Sequence, residues 1–277
     1  MTDFAARRAE FKKLHESGCF VIPNPWDAGS AKYLEHMGFK AVATTSSGYA
    51  FTAALPDHPA VLKREGVLAN AAAIVNATTI PVNCDYQSGY AKTLDELAES
   101  VRLCVETGVA GLSIEDSTGD PSKPLFDIEE AVDRLSAARA AIDATGTGVM
   151  LCGRAECFLT GQSDALAESV KRIKAYAEAG ADVLFAPGVS GADGIRAIVD
   201  AAGGKPVNHI VFTNTGLSVS DYAEIGVRRI SVGSALSRAA WSGFISAAKK
   251  LADGSFEGFE GIATFAELNT LFATNER

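Results

Sequence analysis

No stretch of this chain approaches the roughly 18 consecutive apolar residues that a membrane-spanning helix requires. The first 18 residues, MTDFAARRAEFKKLHESG, have neither a continuous apolar segment nor a small-residue cleavage site. They read as a charged amphipathic helix, and the expectation is a cytoplasmic protein that does not touch a membrane. Basic clusters are missing too. The 25 Lys and Arg residues are scattered and outnumbered by 34 Asp and Glu, for a net charge of −9, which argues against a nucleic-acid partner because phosphate binding needs grouped cations. Five cysteines (Cys19, Cys84, Cys104, Cys152 and Cys157) form no CxxC pair. They suggest neither a disulfide framework nor a zinc site, and are expected to be reduced, mostly buried thiols. No GxGxxG follows the first apolar run, so the usual dinucleotide turn is absent as well.

What is present is a rhythm. Short apolar runs alternate with longer segments of helical period: CFVIPN, KAVATTS, IPVNCD, VAGLSIED, GVMLCGRAE, ADVLFAPG, KPVNHIVF and VRRISVG are each followed by a helix-like stretch. Gly38, Gly108, Gly180 and Gly226 each close such a stretch just before the next run, where a residue without Cβ accepts the left-handed conformation. Eight strand–helix units in about 250 residues fit a (β/α)8 TIM barrel, spanning residues 1–277 as one domain. The tail FEGIATFAELNTLF is apolar at helical spacing after the eighth unit. Residues from about 255 to 277 therefore read as a packing segment for a neighbouring surface, with a partner subunit as one candidate.

In such a barrel the ends of the strands converge on one mouth. Those ends carry Asn24, Trp26 and Asp27; Thr45, Ser46, Ser47 and Gly48, with Asp57 in the loop beyond; Asp85 and Gln87; Glu115 and Asp116; Arg154 and Glu156; Pro187; Asn208; and Ser231. Crowded carboxylates repel one another until a divalent cation or a proton relieves them. Oxygen donors without paired His or Cys favour Mg²⁺ or Mn²⁺. Arg154 can hold an anionic substrate bidentately while balancing that charge. The pattern implies a metal with a small carboxylate substrate.

Each feature also has a plainer reading. Asp27, Asp57 and Asp116 are each open to being helix N-caps or solvated acids, and Arg154 to being an internal ion-pair partner. His15 and His36 read as surface helix residues, His58 as a loop residue beside Pro59, and His209 as a core histidine. No His stands at a spacing that would activate any of the cysteines.

The segments NPWDAGSAKYLEHMGFKAVATTSSG, CDYQSGYA, GVAGLSIEDSTG, GRAECFL, AGADVLFAPG, KPVN and IGVRRISVGSAL, in this order at successive strand ends, together resemble the isocitrate lyase and phosphoenolpyruvate mutase superfamily. The resemblance implies a barrel whose last helix is exchanged between subunits of a homotetramer, a dimer of dimers. It implies bound Mg²⁺ and chemistry on a 2-oxo acid through an enolate. Asp85 resembles the principal metal-site acid, Glu115 the second, and Asp57 another acid of the metal shell. Ser47 and Gly48, with Ser46 beside them, resemble the amide cradle for the substrate carboxylate, and Arg154 the holder of its anionic end, with Asn208 a further substrate-binding position. Two departures stand out. Gln87 occupies a place in the metal shell where the family commonly has an acid. The loop after the fourth run, EDSTGDPSKPLFDIEE, has neither the Lys-(Lys/Arg)-Cys-Gly-His motif of the isocitrate lyases nor the Lys-Thr-Asn pattern of the mutases. The expected activity is a Mg²⁺-dependent carbon–carbon lyase on a small 2-hydroxy or 2-oxo di- or tricarboxylate, similar to 2-methylisocitrate lyase or to oxaloacetate-cleaving enzymes. Carbon–phosphorus chemistry is the alternative, and a weakly catalytic oxo-acid binding protein is the second.

Overall fold

The computed structural model describes residues 3–58 and 61–273. In chain order it contains α1 (Phe4–Leu14), β1 (Phe20–Ile22), α2 (Ala28–His36), β2 (Val42–Ala43), α3 (Ser46–Thr52), α4 (Arg64–Ala77), β3 (Val82–Asp85), α5 (Leu94–Glu106), β4 (Gly111–Glu115), β5 (Ser117–Asp120) and β6 (Lys123–Leu125). It continues with α6 (Ile128–Ala144), β7 (Met150–Arg154), α7 (Ala165–Glu178), β8 (Val183–Phe185), α8 (Ala192–Ala201), β9 (Val207–Ile210), α9 (Val219–Ile225), β10 (Arg229–Ser231), α10 (Ala235–Ala252) and α11 (Phe265–Ala273).

Eight of the strands form one parallel sheet in the order β1-β10-β9-β8-β7-β4-β3-β2. The seam between β1 and β2 is drawn together by the Ala43 N–H donating to the Pro23 carbonyl at 3.0 Å. Asn24 stitches the same seam through its Nδ2, which donates to the Thr44 carbonyl at 2.9 Å, and ties it to the end of β10 through its Oδ1, which accepts the Val232 and Gly233 amides, both at 2.9 Å. The expected (β/α)8 barrel is therefore the observed architecture.

Local sequence explains the helices that flank it. In α5 a Thr93–Glu96 capping box satisfies the first-turn amides, and Leu97, Val101, Cys104 and Val105 recur at helical spacing to bury one face. All four glycines expected at helix ends adopt positive φ, from 89° at Gly38 to 106° at Gly226. Strand side chains alternate between two environments, as the two-residue period of a strand requires. Cys84, Leu112, Ile114 and Leu151 pack outward in the large cluster shared with the helices, whereas Met150 and Cys152 belong to a separate cluster inside the barrel. Toward the strand ends the inward positions become polar: Asn83 then Asp85, Ser113 then Glu115, Cys152 then Arg154.

Three features differ from the sequence reading. His15 is not a surface residue: α1 lies across the N-terminal end of the barrel, where Phe11 is fully buried and His15 is 4% exposed. Arg7 and Arg8 hold it there through the carbonyls of Val75, Thr78, Val105 and Val109. Second, SSGYAFT forms the short helix α3, where only a loop was expected. Third, the loop after β4 is an antiparallel hairpin, β5–β6. His209 is the core histidine that was expected, stacked on Tyr222 with ring centroids 4.9 Å apart. Beyond β10, α10 stands away from the barrel with Ser237 as its one buried residue, while α11 returns to α2, where Lys32 Nζ donates to the Phe272 carbonyl. Residues 274–277 of the tail segment, and Pro59, lie outside the described residues.

Candidate active site

The apolar strand β3 delivers Asp85 into the turn YQSGY, and that turn is heavily tied down. Gln87 and Tyr90 both have positive φ, 44° and 53°, uncommon for residues with a Cβ. Gly89 has φ 90°, and a Cβ there would lie 2.2 Å from the Leu97 side chain, so only glycine fits. Ser100 Oγ donates to the Gly89 carbonyl at 2.6 Å, Arg134 Nη2 to the Ser88 and Ala91 carbonyls, and the Glu115 N–H to the Gln87 carbonyl at 2.9 Å. Strain held by so many contacts is typical of positions that aim a side chain.

Asp85 is aimed at the mouth. Its Oδ2 accepts the Ser46 N–H at 2.9 Å, its Oδ1 accepts Arg154 Nη1 at 3.2 Å, and its own N–H donates to Thr44 Oγ1 at 2.9 Å. The same Arg154 Nη1 lies 3.3 Å from Glu115 Oε2, and Arg154 Nε donates to Glu156 Oε1. The ion pairs of all three acids thus run to a single guanidinium, whose carbon sits 5.3 Å above the Phe185 ring centre. Burial, then repulsion from neighbouring acids, pushes Glu115 well above the ordinary carboxylate range and raises Glu156 as well, although Arg154 opposes both shifts. Burial works against the Arg154 charge, but the acids around it hold it firmly protonated. Asp57, at the rim, is raised by desolvation and by Asp85, against hydrogen bonds from Ser47 and Ser46.

The expected acids Asp57, Asp85 and Glu115 and the cation Arg154 therefore do meet. Asp27 is an N-cap, closing a capping box with Ser30. Asp116 is neither cap nor solvated acid. It is 3% exposed, and its Oδ1 accepts the Glu156 N–H at 2.8 Å while its Oδ2 accepts Arg172 Nη1 at 2.9 Å and the Tyr176 hydroxyl. Ser46 spends its amide on Asp85, and Gly48 directs its own to Thr45 Oγ1 at 3.3 Å. A Cβ at Gly48 would lie 2.5 Å from Thr45 Cγ2, so that glycine answers to packing. Asn208 is 2% exposed, with Oδ1 taken by Arg229 and Nδ2 by Ser231. Gln87 is buried, and its Oε1 has no hydrogen-bond partner among the described residues. Among the described residues no group of three His, Cys, Asp or Glu side chains gathers closely enough to hold a metal by itself.

Sequence reasoning placed Glu156 among the strand-end acids but gave it no role at the site, and it did not find the Asp116–Arg172–Tyr176 group behind it. Arg172 and Tyr176 lie four apart on α7, one helical face, which was the available signal. Their partner, 56 and 60 residues away, was not readable.

Known proteins place this geometry in a family. The family model described as phosphoenolpyruvate phosphomutase matches residues 11–252, and the chain belongs to that family, within the isocitrate lyase and phosphoenolpyruvate mutase superfamily of enzymes, which has lyase and mutase members. An uncharacterized protein of Mycobacterium tuberculosis is 31% identical over 252 residues, covering 88% of this chain and 89% of its own. The 2-methylisocitrate lyase of Escherichia coli is 29% identical over 183 residues, covering 63% of this chain and 60% of that enzyme. A crystal structure from Burkholderia cenocepacia, provisionally described as a lyase/mutase, superposes with a TM-score of 0.93 at 40% identity over 98% of each chain.

Proposed function

We propose that this chain is a carbon–carbon lyase that cleaves a small 2-hydroxy or 2-oxo di- or tricarboxylate, working with Mg²⁺ or Mn²⁺ at Asp85. The observation that carries the reading is the unbalanced charge at the mouth: Asp85, Glu115 and Glu156 share one guanidinium, and Asp57 adds a fourth carboxylate at the rim. A divalent cation relieves that excess.

The donors fit such an ion in hydrated form. Mg²⁺ dehydrates reluctantly and is commonly held by one or two carboxylates while keeping several waters, so an all-protein cage is not needed. Asp85 would hold it directly, with Glu115, Asp57 and, more weakly, Gln87 in the surrounding shell. Gln87 Oε1, unpartnered among the described residues, would be free to accept a hydrogen bond from a water of that shell. When bound, the ion supplies Lewis-acid polarisation of a 2-oxo or 2-hydroxy oxygen as the adjacent bond breaks. The rest falls to the chain. Arg154 pairs with a substrate carboxylate, and Ser46, Ser47 and Gly48 border the same anion. Burial and repulsion from its acid neighbours raise the proton affinity of the Glu115 carboxyl, which suits it to take up or hold a proton at the mouth.

Carbon–carbon cleavage is favoured over carbon–phosphorus chemistry because, among the described residues, every ion pair of these three acids is made by Arg154, leaving one cation where a phosphonate dianion calls for more. The hairpin β5–β6, which carries neither Cys nor His, faces no such requirement in a retro-aldol cleavage whose proton comes from elsewhere in the mouth. Five unpaired cysteines favour a reducing, cytoplasmic setting. Assembly belongs to the same proposal. Trp241, Phe244 and Ile245 on α10, with Phe256, Ile262 and Phe265 beyond it, expose an apolar face, and a second copy of the chain in a homotetramer would cover it. The test of the activity is a panel of oxaloacetate, 2-methylisocitrate, isocitrate and phosphonopyruvate, assayed for pyruvate, glyoxylate and phosphate with and without Mg²⁺. Pyruvate or glyoxylate from a non-phosphorus substrate, only with metal, is expected. Phosphate release from phosphonopyruvate alone would overturn the assignment.

A further inference from the structure

Below the mouth, the barrel interior holds a charge that the acid cluster does not use. Arg229 opens β10 and is 4% exposed, yet the hydrogen bonds of its guanidinium go to neutral groups: Nε to Asn208 Oδ1 at 2.8 Å, Nη1 to His15 Nε2 at 3.4 Å and Nη2 to Cys152 Sγ at 3.4 Å. A guanidinium only donates. Each partner must therefore present a lone pair, and this fixes proton positions outward along the chain of contacts. His15 meets the requirement because its Nδ1 donates to the Phe11 carbonyl at 2.7 Å, leaving Nε2 as acceptor. Burial, and then Arg229 itself, lower its pKa to about 3, so the ring stays neutral.

Asn208 meets it by turning its oxygen to Arg229. The amide cannot flip without facing N–H groups toward N–H groups, so its Nδ2 must be the atom that donates to Ser231 Oγ, at 2.9 Å. Ser231 accepts from below, and its own single proton is left to point elsewhere. It ends β10, two residues or about 6.7 Å above Arg229 on the same inner face, and so stands at the mouth end of the strand, where it is 7% exposed.

We propose that Ser231 presents its hydroxyl proton to a carboxylate oxygen of the substrate, and that Asn208 is the positioning residue that sets this direction on instruction from Arg229. The inference rests on the reading of the mouth as an oxo-acid site and adds a donor on the side opposite Arg154. It also gives the buried arginine a function: a neutral acceptor at position 208 leaves the amide as donor, whereas an acid would reverse it.

The substitution Asn208→Asp is nearly isosteric and does reverse it. The new carboxylate pairs with Arg229, and its other oxygen accepts the Ser231 proton, turning the hydroxyl inward. Calorimetric titration of oxalate in the presence of Mg²⁺ should show affinity lowered roughly ten- to hundredfold, the worth of a hydrogen bond to a charged group. Ser231→Ala should lose a similar factor, and the double variant no more than either, because both act through one proton. Additive losses, or wild-type affinity in Asn208→Asp with Ser231 intact, would overturn the proposal. A ligand-free arm separates this from the lyase reading. In Ser231→Cys the introduced thiol accepts from Asn208 and its thiolate is favoured, so alkylation by iodoacetamide at pH 8, followed on its own peptide by mass spectrometry, should be at least tenfold faster than in the Asn208→Asp, Ser231→Cys double variant. Equal rates, or no alkylation in either, refute the relay. If wild-type protein fails to bind oxalate while the rates differ as expected, the relay stands and the oxo-acid reading, with the substrate contact it assigns to Ser231, falls.

Discussion

Gln87 offers the sharpest perturbation, because two substitutions there should move stability and metal affinity in opposite directions. A buried carbonyl without a donor costs about 1–3 kcal/mol, and Gln87 Oε1 is such an atom. Gln87→Leu removes it, so the metal-free protein should gain about 1 kcal/mol, a rise of roughly 2–4 °C in melting temperature for a chain of this size. The same change removes an acceptor from the hydration shell and should weaken Mg²⁺ about tenfold, the low end for groups acting at one remove from a metal. Gln87→Glu should do the reverse. It buries another carboxylate beside Asp85 and Glu115, lowering the metal-free melting temperature, and it should tighten Mg²⁺ about tenfold because a carboxylate polarises a coordinated water more strongly than an amide. Substrate-free calorimetry gives the affinities. Melting at a Mg²⁺ concentration one hundred times the dissociation constant gives a second estimate, since occupancy there adds about 2.7 kcal/mol. Equal or weaker Mg²⁺ binding in Gln87→Glu would refute the reasoning and would mean that the amide serves the substrate instead.

Two further outcomes are expected. Deleting the chain after residue 255 removes α11 from its seat on α2 and leaves the α10 face without its neighbours; sedimentation should show a smaller assembly or aggregation, and a profile identical to the parent would count against subunit exchange. The pKa values of His15 and His209 are lowered to about 3 and about 4, chiefly by burial. Because both fall below the unfolded value near 6.5, the unfolded chain takes up protons first as the pH drops, and the pair should remove about 2–3 kcal/mol of stability between pH 7 and 5.5. The raised acids at the mouth offset part of this, so imidazole NMR is the direct check: the His15 and His209 rings should remain unprotonated at pH 5.5, and titration of either ring near 6.5 would contradict its burial.

The barrel and the positions of Asp85, Glu115 and Arg154 were legible because strand period and strand end are local properties, and the parallel barrel turns strand ends into neighbours. What was not legible depended on partners distant in sequence. Asp116 looked like any acid after a strand until α7 brought Arg172 and Tyr176 to it. His15 sits in a helix dense with Lys, Arg and Glu, and its burial follows from Phe11 one turn earlier entering the barrel end, which no window of that helix reveals. The segment SSGYAFT lacks a helical apolar period over its seven residues, so α3 escaped notice. In STGDPSKPL the turn residues were visible, but their closure into a hairpin rests on Thr118 donating to the Lys123 carbonyl and on Ser122 capped by Asp120.

Under the proposed function a hydrated divalent cation at Asp85 and an oxo-acid carboxylate at Arg154 meet in the barrel mouth. Oxalate, a stable mimic of the pyruvate enolate, tests it in one calorimetric experiment on the wild-type protein and the Asp85→Ala variant, each with and without Mg²⁺. Asp85 lies at a strand end outside the apolar core, so circular dichroism of the variant should be unchanged. Oxalate should bind the wild type at least about a hundredfold more tightly with Mg²⁺ than without, and the Asp85→Ala variant should show no such dependence. Oxalate affinity indifferent to Mg²⁺ in the wild type, or a Mg²⁺ effect that survives loss of Asp85, would contradict the proposed function.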